Sequence, residues 1–237
     1  MLIVRSLFFW IGLVVSLLFF IVAGLLAFPF SAQIRFRVLS GWARFCLFWM
    51  RVTCKLDYVV EGLENIPDEA GIVFCKHQSN WDSLVLQDIF PMQTWVLKRT
   101  LLWIPFLGWG LSMLKPVAID RSAGRQALKQ LVEQGTERLK EGRWMIIFPE
   151  GTRIAPGEKG KYHIGGSILA QKSGAPVVPV AHNAGEFWPR KGLILKPGTI
   201  RVVVGPVIES KGRSASEINE LAETWIEGKV EEISEQN

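Results

Sequence analysis

Apolar positions along this 237-residue chain follow two regimes. From Ser6 to Ile34 no residue is charged, and the core of that run, LFFWIGLVVSLLFFIVAGLLAFPF, is apolar on every face. About 20 such residues are enough to cross a bilayer, and a soluble core seldom needs an all-round apolar helix of this length. Its length and its lack of a small-residue cleavage site argue against a secretory signal peptide. A second apolar, aromatic stretch, Ser40 to Met50, contains Arg44 and is too short to span. It predicts an interfacial helix carrying Trp42, Phe45, Phe48 and Trp49. Pro29 can break the first helix and turn the chain back. Two arrangements follow: one span with an interfacial helix after it, or a two-helix hairpin dipping into one leaflet. Length alone favours the span.

Beyond residue 56 short apolar runs alternate with longer amphipathic ones. Tyr58–Val60, Ile72–Cys75, Thr94–Leu97, Trp144–Phe148, Val177–Ala181 and Ile200–Val204 are short, rich in β-branched or aromatic residues, and predict strands. Leu128, Leu131, Val132 and Leu139 share one face of a helix predicted from about Ala123 to Glu141, with Gly142 as its C-terminal cap. Ile218, Leu221, Ala222, Trp225 and Ile226 form a second stripe, opened by Ser214-x-x-Glu217 at capping-box spacing. Alternation of this kind predicts an α/β fold with a mostly parallel central sheet flanked by helices. The expected organisation is a membrane anchor over residues 1–56 and a globular domain over 57–237.

Charge sharpens the division. Residues 1–56 hold six cations (Arg5, Arg35, Arg37, Arg44, Arg51, Lys55) and no acid. The remainder has 21 basic and 22 acidic residues, a net of −1, so the chain's excess of +5 belongs to the anchor. A nearly neutral globular part gives no support to nucleic-acid binding. Cations flanking an apolar segment suit anionic lipid head groups, and five of the six follow it, which places the globular part in the cytoplasm. Cys46, Cys54 and Cys75 lack metal-ligand spacing and an even count for disulfides.

Candidate chemistry sits just past predicted strand ends, where the ligand crevice of such sheets lies. His77 follows one strand and Asp82 comes five residues later, where Asn80 or Asp82 starts a helix. A carboxylate on the far nitrogen of an imidazole fixes its tautomer and makes the ring a base. The same spacing also suits a loop histidine and a capping aspartate. Ser79 lacks the G-x-S-x-G setting of a nucleophile. Phe148-Pro149-Glu150-Gly151-Thr152-Arg153 forces a tight turn and offers a guanidinium to a phosphate, or merely an exposed Glu–Arg pair. Lys98-Arg99 leads into a stretch without charge until Lys115, which pairs a head-group site with an apolar wall. Asp120-Arg121 fits an ion pair or a cap, and Val178-Pro179-Val180 a wall.

These four blocks, in this order, resemble the glycerolipid acyltransferase family, most closely its bacterial members acting on 1-acyl-glycerol 3-phosphate. His77-x-x-x-x-Asp82 is similar to the family's first motif. The stretch from Lys98 to Gly110, ending in Ile119-Asp120-Arg121, is similar to the second, Phe148 to Arg153 to the third, and Val178-Pro179-Val180 to the fourth. The resemblance implies transfer of an acyl group from acyl-CoA or acyl-acyl-carrier protein to the 2-hydroxyl of lysophosphatidic acid, with no metal and no cofactor beyond the acyl carrier. It implies His77 as general base and Asp82 as its orienting partner. Lys98, Arg99 and Arg153 would bind phosphate in a pocket shaped by Glu150, Gly151 and Thr152. Backbone amides at the start of the helix after His77 are the expected oxyanion donors. Trp103, Phe106, Trp109 and Met113 are candidate tunnel walls. The implied location is the cytoplasmic face of the inner membrane. Another lysophospholipid or lyso-aminolipid acceptor, or a non-catalytic lipid-binding protein, are the alternatives.

Overall fold

A computed structural model describes residues 1–105, 107–120 and 123–235, with the backbone alone at Leu107 and Glu235. Phe106 and Arg121 therefore lie outside the described residues. The chain opens with two long helices, α1 (Leu2–Leu26) and α2 (Ala32–Cys54), joined by a turn that contains Pro29. They run antiparallel. Trp49 lies against Gly12, Leu39 against Gly24, and Trp42 Nε1 donates to Ser16 Oγ at 3.2 Å. A Cβ on Gly12 would come within 2.1 Å of the Trp49 indole, so glycine is what allows the helices to approach. The helix expected over Ser40 to Met50 is part of α2, which starts eight residues earlier. Ser31 caps it by accepting from Ile34 N–H. Arg35 bends back to donate to the carbonyls of Phe28 and Phe30 at 2.8 and 3.0 Å, and Arg37 faces solvent, so neither charge breaks the helix.

Seven strands follow: β1 (Leu56–Glu61), β2 (Ile72–Cys75), β3 (Gln93–Lys98), β4 (Val117–Ile119), β5 (Trp144–Ile147), β6 (Val177–His182) and β7 (Gly198–Val204). Between and after them lie α3 (Asp82–Ile89), α4 (Leu107–Met113), α5 (Arg125–Lys140), α6 (Gly165–Ser173), α7 (Ala184–Phe187) and α8 (Ala215–Glu235). The sheet order is β1-β7-β6-β2-β5-β3-β4. Every pairing is parallel except β6 with β7. The mostly parallel sheet is thus as expected, with β4 an added edge strand. Gly142 ends α5 at φ +72°, and Ser214 and Glu217 exchange the two hydrogen bonds of a capping box.

Side chains alternate across the pleat. Val73, Cys75, Ile146, Val178 and Val180 join a core with α2 and α3. Ile72, Phe74, Met145 and Ile147 join a second core with α5, α6 and α8. The result is three layers, with β2 central and the carboxyl ends of β2, β5 and β6 side by side.

Candidate active site

The chain leaves β2 at Lys76 and makes a tight loop into α3. Asp82, the first residue of α3, is fully buried and folds back over that loop. Its Oδ2 accepts from the backbone N–H of Gln78 at 2.9 Å and of Ser79 at 3.0 Å, and lies 2.8 Å from His77 Nδ1. An ionised carboxylate only accepts, so Nδ1 carries a proton, and in the neutral ring Nε2 then keeps its lone pair. The His77 ring stacks on Phe148, centroids 3.9 Å apart, and its side chain is 14% exposed. Burial alone would push the Asp82 carboxyl up; the His182 and His77 rings and the Ser79 amide outweigh it and hold the group below its ordinary value.

His182, at the end of β6, completes this cluster. Its Nδ1 accepts from Ala184 N–H at 3.2 Å, so its Nε2 is the protonated nitrogen. Nε2 donates to Lys76 O at 2.8 Å and lies 3.4 Å from Asp82 Oδ1. Burial pushes its basicity down, against the pull of the Asp82 carboxylate. Sequence reasoning passed over His182, although it is one of three histidines and, like His77, stands at a strand end.

Beneath the loop lies a charge cluster that the sequence did not signal. Lys76 continues the Ile72/Phe74 face and so points toward α8. Its Nζ is 2.7 Å from Glu227 Oε1 on α8 and 3.4 Å from Glu150 Oε1, with both side chains of the Lys76–Glu150 pair fully buried. Tyr162 donates to the same Glu227 oxygen at 2.8 Å. Glu150 Oε1 also accepts from His77 N–H at 3.4 Å. Burial pushes the Glu150 carboxyl up to about 7, against the pull of Lys76. Glu150 therefore faces inward, onto Lys76 and the His77 backbone.

Gly151 takes φ +66° to make the turn after β5, and Ile154 N–H then bonds His77 O at 2.8 Å. Arg153 is carried onto the first loop, where its Nε donates to Ser79 O at 3.1 Å. His77, Asp82, Glu150, Gly151, Thr152 and Arg153 are thus brought together. Lys98 is exposed at the end of β3, and Arg99 is exposed with its guanidinium on Gln130 Oε1 of α5 at 3.4 Å. Beside His77 a cavity of about 410 Å³ opens between the sheet and α5. Its apolar wall is Val96, Ile119, Ala127, Leu128, Leu131 and Ile147, and Glu150, Gly151 and Thr152 line it near His77. Trp103, Trp109 and Met113 are not among its lining: Trp103 and Trp109 face outward, and Met113 packs near Gly24 of α1. Nor do the amides of Gln78 and Ser79 await an oxyanion, because Asp82 accepts from both; Trp81 N–H is held by Ser79 Oγ.

The chain is similar to known proteins. The family model described as Acyltransferase matches residues 57–183, which contain both loops of the site. A 1-acyl-sn-glycerol-3-phosphate acyltransferase from Pseudomonas aeruginosa is 49% identical over 209 residues, covering 87% of this chain and 81% of that protein. One of the same description from Saccharomyces cerevisiae is 31% identical over 78% of this chain and 63% of its own length. The crystal structure of the 1-acyl-sn-glycerophosphate (LPA) acyltransferase PlsC from Thermotoga maritima superposes with a TM-score of 0.83 at 26% identity, over 98% of this chain and 96% of that one. With a strand-end histidine held by a buried aspartate, inside a match that spans more than half of its length, the chain belongs to the acyltransferase family.

Proposed function

We propose that this enzyme transfers an acyl group from a thioester, carried by coenzyme A or acyl carrier protein, to the 2-hydroxyl of 1-acyl-glycerol 3-phosphate, giving phosphatidic acid. The observation that carries this reading is His77: Nδ1 locked on Asp82 and Nε2 with a free lone pair, between an apolar cavity and a guanidinium. The names of the relatives support the same acceptor. The lipid hydroxyl gives its proton to His77 Nε2 as its oxygen attacks the thioester carbon. The tetrahedral intermediate collapses, the C–S bond breaks, and the leaving thiolate takes the proton back from the imidazolium. Asp82 stabilises that imidazolium, and Phe148 limits the ring's tilt. The step draws on no metal and no acyl-enzyme. The acceptor phosphate meets Arg153, with Lys98 and Arg99 on the β3 side of the cavity, and an acyl chain fits the wall formed by Val96, Ile119 and Leu131.

The anchor acts as a hairpin in the cytoplasmic leaflet. Among the described residues α1 is the one helix long and apolar enough to cross a membrane. Its first turns are held on the globular part, however: Phe9 is buried against Trp188, and Ser6 Oγ accepts from Leu195 N–H at 2.9 Å. Both ends of the hairpin thus return to the domain, which supports the hairpin over one full crossing. Leu7, Ile11, Leu18, Val22 and Leu25 form an exposed row on α1, suited to acyl chains.

Purified enzyme, labelled acyl thioester and a panel of acceptors test the activity. Lysophosphatidic acid should be acylated in preference to phosphodiester lysolipids, lyso-aminolipids and glycerol 3-phosphate. A stronger preference for any of these would overturn the assignment.

A further inference from the structure

We propose that Arg190 is a second guanidinium for the acceptor's phosphate, and that with Arg153 it selects phosphate monoesters over phosphodiesters. This rests on the activity proposed above. Arg190 Nη1 donates to the backbone carbonyl of Arg153 at 3.1 Å, while Arg153 Nε is held by Ser79 O at 3.1 Å. The two cations are therefore neighbours above the loop that carries His77. Among the described residues no carboxylate lies within ion-pair distance of either. Burial pushes the Arg153 basicity down, Asp82 pulls it up, and the positive charge of Arg190 pushes it down again. A bound anion would relieve that repulsion. A phosphate monoester carries roughly −1.5 to −2 charge at neutral pH, and planar guanidinium forks match its oxygens. A phosphodiester carries one negative charge and has two fewer unsubstituted oxygens than the four in inorganic phosphate, which leaves one guanidinium without a counter-charge.

Arg190 is also held where a lipid head group would arrive. It sits on the 188–196 loop, which Lys196 N–H closes on Phe187 O at 2.9 Å. Trp188 is buried edge-on against Phe9 and Trp10 of α1, and Trp10 Nε1 donates to Leu193 O at 2.8 Å. Leu193 and Ile194, 71% and 44% exposed, continue the apolar surface of α1. The loop thus sets Arg190 at a fixed place relative to the apolar hairpin surface, on the side from which a membrane-embedded acceptor presents its phosphate.

The test uses full-length protein in uncharged detergent micelles with three acceptors: lysophosphatidic acid, lysophosphatidylglycerol and monoacylglycerol. Arg190→Gln should raise the KM for lysophosphatidic acid about tenfold or more, the scale of a lost charge-assisted hydrogen bond. It should leave the KM for the acyl thioester unchanged and narrow the preference for monoester over diester. Arg190→Lys should recover part of the loss. A KM change under about twofold for lysophosphatidic acid, with the thermal midpoint kept, overturns the proposal. So does an equal change for all three acceptors, since that would make Arg190 a surface contact. If the wild type does not acylate lysophosphatidic acid, the proposed activity fails first; if it does and Arg190→Gln is silent, only the present inference fails.

Discussion

The floor and the rim of the site treat charge in opposite ways. On the floor, Lys76, Glu150 and Glu227 are all out of water, and the lysine lies within ion-pair distance of both acids. On the rim, Arg153 is half-buried and Arg190 exposed, and among the described residues the guanidinium of each donates to a backbone carbonyl. A buried charge without a partner costs several kcal/mol, so the floor must be matched internally and acts as fixed structure. A cation at the water's edge bears less of that cost and can stand without a counter-charge. The contrast separates residues that hold geometry from residues that the proposed function assigns to ligand, and His77 stands where the two meet.

Substitutions can break or sharpen the contrast. The largest effect on turnover is expected at the meeting point: His77→Ala should lower kcat by at least 10²–10⁴-fold, the range for a positioned base, with the protein folded and membrane-bound. Near-normal turnover would remove His77 from the mechanism. On the floor, Lys76→Met should cost about 3–5 kcal/mol of stability by leaving carboxylates buried and unpaired. Pairing it with Glu227→Leu should restore much of the loss in chemical unfolding; no recovery would mean that Lys76 and Glu227 are not energetically coupled. Glu150 allows a pH test. Its folded pKa of about 7 lies above its ordinary 4.5, so between these values the folded state holds a proton that the unfolded state releases. Its contribution to stability therefore falls as pH rises from about 4.5 to about 7, by up to about 3 kcal/mol, and is level above. Glu150→Gln should flatten that part of the thermal-midpoint profile, and an unchanged slope would refute the cause. On the rim, Arg153→Ala should raise the KM for lysophosphatidic acid by an amount worth about 1.5–3 kcal/mol, more than for the acyl donor, at nearly unchanged stability. Equal effects on both substrates would argue against a phosphate contact.

What the sequence made legible was local. The His77–Asp82 contact spans five residues and a tight loop, and a strand-end histidine before a helix start already suggested it. Central strands showed as apolar runs, whereas β4, three residues at the sheet edge, was too short to stand out. The floor could not be read this way, because the partner of Lys76 is 151 positions away on another layer. Alternation past β2 would have indicated the side to which Lys76 points, but not what it meets there. Arg35 and Arg37 made α2 look shorter than it is, since hydropathy does not show which way a charged side chain bends. The same blindness to direction suggested Trp103 and Trp109 as tunnel walls, when the sheet and α5 enclose the cavity and those indoles face outward. Nor does the sequence show that Asp82 turns back to occupy the amides of Gln78 and Ser79 ahead of the helix start.

The Lys76–Glu227 contact also bears on when the protein becomes an enzyme. Domains made on the ribosome begin folding from their N-terminal side, and β2, α3 and β5, which supply His77, Asp82 and Glu150, are all made well before α8. Without α8, Lys76 would keep Glu150 as its ion-pair partner among the described residues. The last long helix is thus tied to the geometry of the site: the charge matching beneath the loop that carries His77 is complete only with Glu227 of α8 in place.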